Sequence, residues 1–266
     1  MEYKTLNLFK DNNIAIIEIN RPDKLNALNF QIINELELAI EYLINSKTIR
    51  CIVFTGKGQK SFVAGADIRE ISNLDEENAF RYSQKGSSLF KKISESPKPT
   101  IAAINGYALG GGCELALACN LRIASNNSQL GLPEINLGLI PGFGGTQRLS
   151  KTIALCKATE LLLLGEPITA EDALQIGLIN RITTQEELMN EVLLIAKKIA
   201  SKPLTSVKYI MELLKESQNN NNEIGFKLES QLFSKLVGTN DFKEGTSAFL
   251  EKRNPIFNTG KNFERD

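Results

Sequence analysis

Two carboxylates stand out as groups with the type and spacing to do chemistry. Glu114 follows three glycines in "ALGGGCELALAC" (108–119), and Glu134 follows Pro133 twenty positions later in "LGLPEINLGLIPGFGG" (130–145), a stretch almost free of other charge. The chain contains no histidine, which removes Ser-His-Asp and Cys-His catalysis and the commonest metal ligand. Proton transfer near neutral pH then falls to a carboxylate shifted by burial, a perturbed Lys or Cys, or a Tyr. A lone carboxylate in an apolar, glycine-rich segment also serves as a helix cap or a satisfied structural group, and both readings stay open. At a helix N-terminus the macrodipole favours a charged Glu114, whereas apolar neighbours favour a neutral one.

The glycines set a second question. Gly110, Gly111 and Gly112 precede what reads as a buried helix opening near Cys113, and the first turn of a helix leaves amide N–H groups without partners. Nucleotide motifs fail: no Lys-Ser/Thr follows Gly112 or Gly145, and neither "GYALGGG" nor "PGFGGTQ" spells G-x-G-x-x-G. A second segment shares the layout, with strand 51–55 leading to Ala64, Gly65 and Ala66 before a helix opening near Asp67. Two such turns brought together by adjacent strands would aim two amides at one oxygen, as an oxyanion hole requires. Tight packing turns in a sheet protein are the alternative.

The elements that must position these groups alternate. Short β-branched runs at 14–19, 51–55, 100–104 and 121–124 read as strands, and "NFQIINELELAIEYLINS" (29–46) has helical spacing behind a capping Asn. This alternation predicts an α/β core. Beyond position 184, "EELMNEVLLIAKKIASK", "PLTSVKYIMELLKES", "EIGFKLESQLFSKL" and "DFKEGTSAFLEKR" predict four helices with no strand between them. They are separated by Pro203, the "QNNNN" tract and a turn at 238–240. Their apolar stripes fit a subunit interface or a cap on the same chain.

Composition limits the partners. With 31 basic and 31 acidic residues in 266, no global field points to nucleic acid or an anionic membrane. No apolar run approaches the roughly 18 residues of a membrane span, and "MEYKTLNLFKDNN" lacks a secretory h-region. A soluble, cytoplasmic protein is expected. Cys51, Cys113, Cys119 and Cys156 form no C-x-x-C pair, so neither a metal site nor a disulfide framework is expected.

Taken together, "INRPDKLNALN" (19–29), "SFVAGADIREI" (61–71), "KPTIAAINGYALGGGCELALACNLRIAS" (98–125), "LGLPEINLGLIPGFGGTQRL" (130–149) and "AFLEKR" (248–253) resemble the enoyl-CoA hydratase (crotonase) family, notably its bacterial short-chain hydratases. The similarity runs from about position 14 to 253. It implies a spiral of β-β-α units over 1–195 and a helical oligomerisation region over 196–266 that builds trimers or dimers of trimers. It implies reversible hydration of 2-enoyl-CoA to (3S)-3-hydroxyacyl-CoA, with coenzyme A part of the substrate and no separate cofactor or metal. Carried over by position, Ala66 and Gly111 supply the oxyanion-hole amides, and Glu114 and Glu134 are the catalytic pair. Contacts to the CoA portion fall to Lys24, Leu25, Ala27, Ala64, Asp67, Ile68, Phe249 and Lys252, although Lys24 and Lys252 also fit solvated surface charges. An isomerase of the same superfamily and a non-catalytic acyl-CoA-binding protein are the competing functions.

Overall fold

Alternation of side chains between the two faces of the strands explains how one sheet serves two cores. The computed structural model describes residues 3–217 and 222–257. Its larger sheet is built from β1 (Leu6–Asp11), β2 (Ile14–Ile19), β3 (Cys51–Gly56), β5 (Thr100–Ile104), β7 (Leu121–Ser125) and β10 (Arg181–Thr183), paired in that order. The β1–β2 hairpin is antiparallel and every other pairing is parallel. Ile52 and Phe54 of β3 face the main core, whereas Cys51 and Val53 join Ile14, Ile101 and Ile123 under the last part of the fold. Such a sheet, covered on both faces, reads in sequence as near-continuous apolar runs.

A second sheet of much shorter strands stands beside it, in the order β4 (Ser61–Val63), β6 (Tyr107–Leu109), β8 (Gln129–Gly131), β9 (Ile168–Thr169). The segments that read as turns after β3 and β5 contain β4 and β6. Three strands of the first sheet, β3, β5 and β7, are therefore each followed by a short strand of the second, then by helix: α2 (Ile68–Ile71) and α3 (Glu76–Ser94) after β4, α4 (Gly111–Ala118) after β6, and a 3₁₀ turn (Pro133–Leu137) with α5 (Gly145–Thr152) and α6 (Leu155–Leu164) after β8. This is the expected β-β-α spiral within a mixed α/β fold. The helix expected at 29–46 is α1 (Phe30–Asn45), and Asn29 Oδ1 accepts from Ile32 N at 2.9 Å as its cap.

After α7 (Ala170–Gln175) and β10 come, among the described residues, the helices α8 (Leu188–Ala200), α9 (Leu204–Glu216), α10 (Asn222–Leu236) and α11 (Asn240–Leu250). The first is part of the core: Leu188, Val192 and Ala196 bury against the sheet, and α8 runs across the boundary expected after position 195. Within the "QNNNN" tract, 218–221 lie outside the described residues, as do 258–266. Among the described residues no helix is long and apolar enough to cross a membrane.

Candidate active site

Parallel pairing in the small sheet brings the predicted residues together. Val63 of β4 pairs with Ala108 of β6, and Leu109 of β6 pairs with Gly131 of β8. The three strands therefore end side by side, and each chain continues into a site segment: 64–67, the glycine triplet, and the 3₁₀ turn that carries Glu134. Ligand sites gather at such carboxyl edges of parallel strands because successive chains leave a crevice there.

The first segment is strapped to the loop at 19–29. Leu28 N–H donates to the Gly65 carbonyl at 2.8 Å and Asp67 N–H to the Leu28 carbonyl at 2.7 Å. These bonds use the groups on either side of Ala66 and leave the Ala66 N–H out of the bridge. Arg21 supports the strap, pairing with Asp67 at 3.0 Å and donating to the Ala27 carbonyl at 2.9 Å. The Asp67 carboxylate is thus committed to Arg21 and to capping Arg69 N–H in α2.

Each glycine of the triplet answers a different demand. Gly110 takes φ +50°, ψ −123°, which is glycine territory. A Cβ there would stand 2.9 Å from Glu134 Oε1, and a Cβ at Gly112 would stand 1.9 Å from the Val63 carbonyl oxygen. Gly111 opens α4, so its N–H falls among the unpartnered donors of a first turn.

Glu114, in that first turn, is 1% exposed. Its Oε1 accepts from Phe143 N at 2.8 Å and Gly145 N at 2.7 Å. Burial, reinforced by the nearby charge of Glu134, pushes its pKa up to about 7, against the opposing pull of the two amides and of Arg148. Burial likewise raises Glu134, whose Oε2 is buried without a hydrogen-bond partner among the described residues. A raised carboxylate with one oxygen unpartnered is suited to hold a proton, and one fixed by two donors is suited to lose it.

Both glutamates line one cavity of about 350 Å³, together with Ala64, Ala66, Ile68 and Gly111. Most of its remaining wall is apolar, including Ile71, Leu74, Tyr82, Leu137, Leu139 and Ile140, with Ser83 a polar exception. Lys24, Leu25 and Ala27 lie outside this lining, on and after an exposed 3₁₀ turn at Pro22–Lys24. Phe249, 82% exposed on α11, and Lys252, in the left-handed turn that follows, also lie outside it. The residues that sequence reasoning missed are Tyr82 and Phe143. Tyr82 sits in a helix too polar to stand out, and Phe143 acts partly through its backbone.

The sequence profile of the family described as enoyl-CoA hydratase/isomerase matches residues 10–260. The chain belongs to the enoyl-CoA hydratase/isomerase family. Relatives agree over nearly their whole length. The short-chain-enoyl-CoA hydratase of Clostridium acetobutylicum is 40% identical, the match covering 95% of this chain and 97% of that protein. The crotonyl-CoA hydratase of Syntrophomonas wolfei is also 40% identical, with coverage of 97% and 99%. The crystal structure of an enoyl-CoA hydratase from Bacillus anthracis superposes with a TM-score of 0.92 at 34% identity, covering 97% of this chain and all of that one. The fold is therefore the crotonase fold, and the chain is an enzyme of this family.

Proposed function

We propose that the chain catalyses reversible syn addition of water to 2-enoyl-CoA thioesters, giving (3S)-3-hydroxyacyl-CoA. The observation that carries this reading is the pair of carboxylates, one held by two amides and one with an unpartnered oxygen, in a single largely apolar cavity beside Ala66 and Gly111. As water attacks C3, negative charge develops on the thioester oxygen. The Ala66 and Gly111 amides and the positive end of α4 stabilise it, and losing one such donor typically costs about 3 to 4 kcal/mol. Ionised Glu114 takes the proton of the attacking water, and protonated Glu134 delivers a proton to C2. Coenzyme A enters as part of the substrate, and the scheme uses no separate cofactor.

Incubation with crotonyl-CoA tests this: hydration removes the conjugated chromophore and yields 3-hydroxybutyryl-CoA. Binding without turnover would favour an acyl-CoA-binding protein. Migration of the double bond with no water added would favour the isomerase, which needs one carboxylate.

The helical tail fits an oligomer. Phe226, Phe233, Phe249 and Leu250 are exposed on α10 and α11, a large apolar presentation for an isolated chain. Threefold assembly would bring Phe249 and Lys252 of one subunit toward the CoA portion bound by the next, opposite Lys24. The expected sedimentation mass is a multiple of three chains. CoA affinity is expected to fall as salt rises, because exposed Lys-phosphate attraction is screened within a Debye length of about 8 Å at physiological ionic strength. A monomer, or salt-independent binding, would remove this arrangement.

A further inference from the structure

The Phe143 amide holds Glu114, and Phe143 is itself held from several sides. Its ring lies in a slot between glycines on two helices: a Cβ at Gly86 of α3 would be 2.3 Å from Cδ1 and Cε1, and one at Gly111 of α4 would be 3.5 Å from Cδ2 and Cε2. Tyr82 and Phe90 close the slot, with ring centroids 5.2 and 5.5 Å away. The flanking backbone is tied as well. Ser83 Oγ donates to the Gly142 carbonyl at 2.6 Å, and Arg148 Nη1 donates to the Phe143 carbonyl at 2.7 Å.

Tyr82, Ser83, Gly86 and Phe90 follow one another at helical spacing on a single face of α3. Ser83 and Gly86 are small and polar or side-chain-free where a core-facing helix ordinarily places bulky apolar groups. Packing alone would fill Gly86; the 2.3 Å approach of the Phe143 ring is what excludes a side chain there.

We propose that this face of α3 is a positioning cradle which, acting through Phe143, fixes the Glu114 carboxylate at its working place in the cavity. The inference rests on the hydratase reading above. Other groups that bear on Glu114 are Glu134 from the 3₁₀ turn, Arg148 from α5, Tyr82 from α3 and Cys113 beside it on α4. The cradle reaches Arg148 only through the Phe143 carbonyl and meets Tyr82 directly, so its effect on Glu114 passes through the placing of the Phe143 backbone. Withdrawing the Phe143 N–H destabilises the ionised carboxylate and moves its titration upward.

The test is crotonyl-CoA hydration by the full chain across pH. Gly86→Ala pushes the ring out of its slot. It is expected to lower kcat by about tenfold or more, since small misplacements cost up to about a hundredfold. KM should stay within about twofold, and the acid limb of kcat should move to higher pH. Adding Phe143→Leu, which makes room for the new methyl, should recover most of kcat. Ser83→Ala removes the hydrogen bond to Gly142 together with a hydroxyl of the cavity wall and should move the limb the same way by less, which keeps the test intact if Gly86→Ala folds poorly. An acid limb that stays in place in Ser83→Ala and in the Gly86 variants that fold overturns the cradle, even where activity is lost. Wild-type hydration combined with inactivity of Glu114→Gln upholds the hydratase reading separately, so a stationary limb then counts against the cradle alone.

Discussion

Glu114→Gln lowers crotonyl-CoA turnover by at least about a hundredfold and leaves thioester binding within a few-fold, because one acid/base role is worth about 10²- to 10⁴-fold. Glutamine keeps an oxygen to accept from Phe143 and Gly145 N–H, so the local fold survives while the proton acceptor is gone. Glu134→Gln has a similar cost for the opposite reason: it removes the group that delivers a proton to C2. The double variant should lose little more than either alone, since groups acting as a unit are not additive. Titration adds a second readout. With Glu114 ionising at about 7, wild-type kcat falls as pH drops below that value, and because burial raises both carboxylates and each bears on the other, the pH profile reports the pair.

Stability distinguishes lost chemistry from lost fold. The folded pKa of Glu114 is raised from 4.5 to about 7, so between those values the folded state binds more protons than the unfolded one. The stability contributed by protonated Glu114 is fully present below about 4.5 and is lost as pH rises through 7. The swing is on the order of 3 kcal/mol. Glu114→Gln removes it, so urea denaturation at pH 8 should find the variant at least as stable as wild type. Near-normal turnover in either glutamine variant, or a Glu114→Gln protein that unfolds more easily at pH 8, would sink the assignment.

What the sequence makes legible follows from how local each signal is. Asn29 precedes a helix-period run, and α1 begins at the next residue. The strands at 14–19 and 100–104 coincide with β2 and β5 because strands buried on both faces are long, apolar and β-branched. β4, β6 and β8 have three residues each, too few to show a period of two, and their pairing is entirely non-local. α3 is hidden for a different reason. Its buried face is interrupted by Ser83 and Gly86, which answer to Phe143 rather than to the general core. Glu114 and Glu134 are visible because a charge in an apolar segment needs a reason. The amides that hold Glu114 are not, since every residue but proline carries an N–H and only the fold decides which two converge.

Gly112→Ala destabilises the protein more than Gly110→Ala or Gly111→Ala, while Gly110→Ala costs the most activity among the variants that remain folded. At Gly112 the new methyl would lie 1.9 Å from the Val63 carbonyl oxygen and 2.8 Å from Val63 Cβ. That carbonyl belongs to β4, whose pairing with β6 positions two of the site segments, so the clash cannot be relieved by a side-chain rotation. Overpacking of this kind costs about 1–3 kcal/mol or more, which lowers the thermal midpoint by roughly 2–4 °C per kcal/mol in a domain of this size. At Gly110 the backbone lies where L-residues are strained, by about 1–3 kcal/mol, and the methyl would meet Glu134 Oε1 at 2.9 Å. The flexible carboxylate swings away, so the fold yields less than the proton donor does, and kcat should drop by about tenfold or more. Gly111→Ala meets Leu28 Cδ1 at 3.2 Å and the Phe143 ring at 3.5 Å, contacts that small side-chain shifts relieve, and it retains its N–H. Thermal melts and crotonyl-CoA turnover for the three variants check the order; a Gly112→Ala protein as stable as Gly111→Ala would show that the third glycine is not required by the approach of β4.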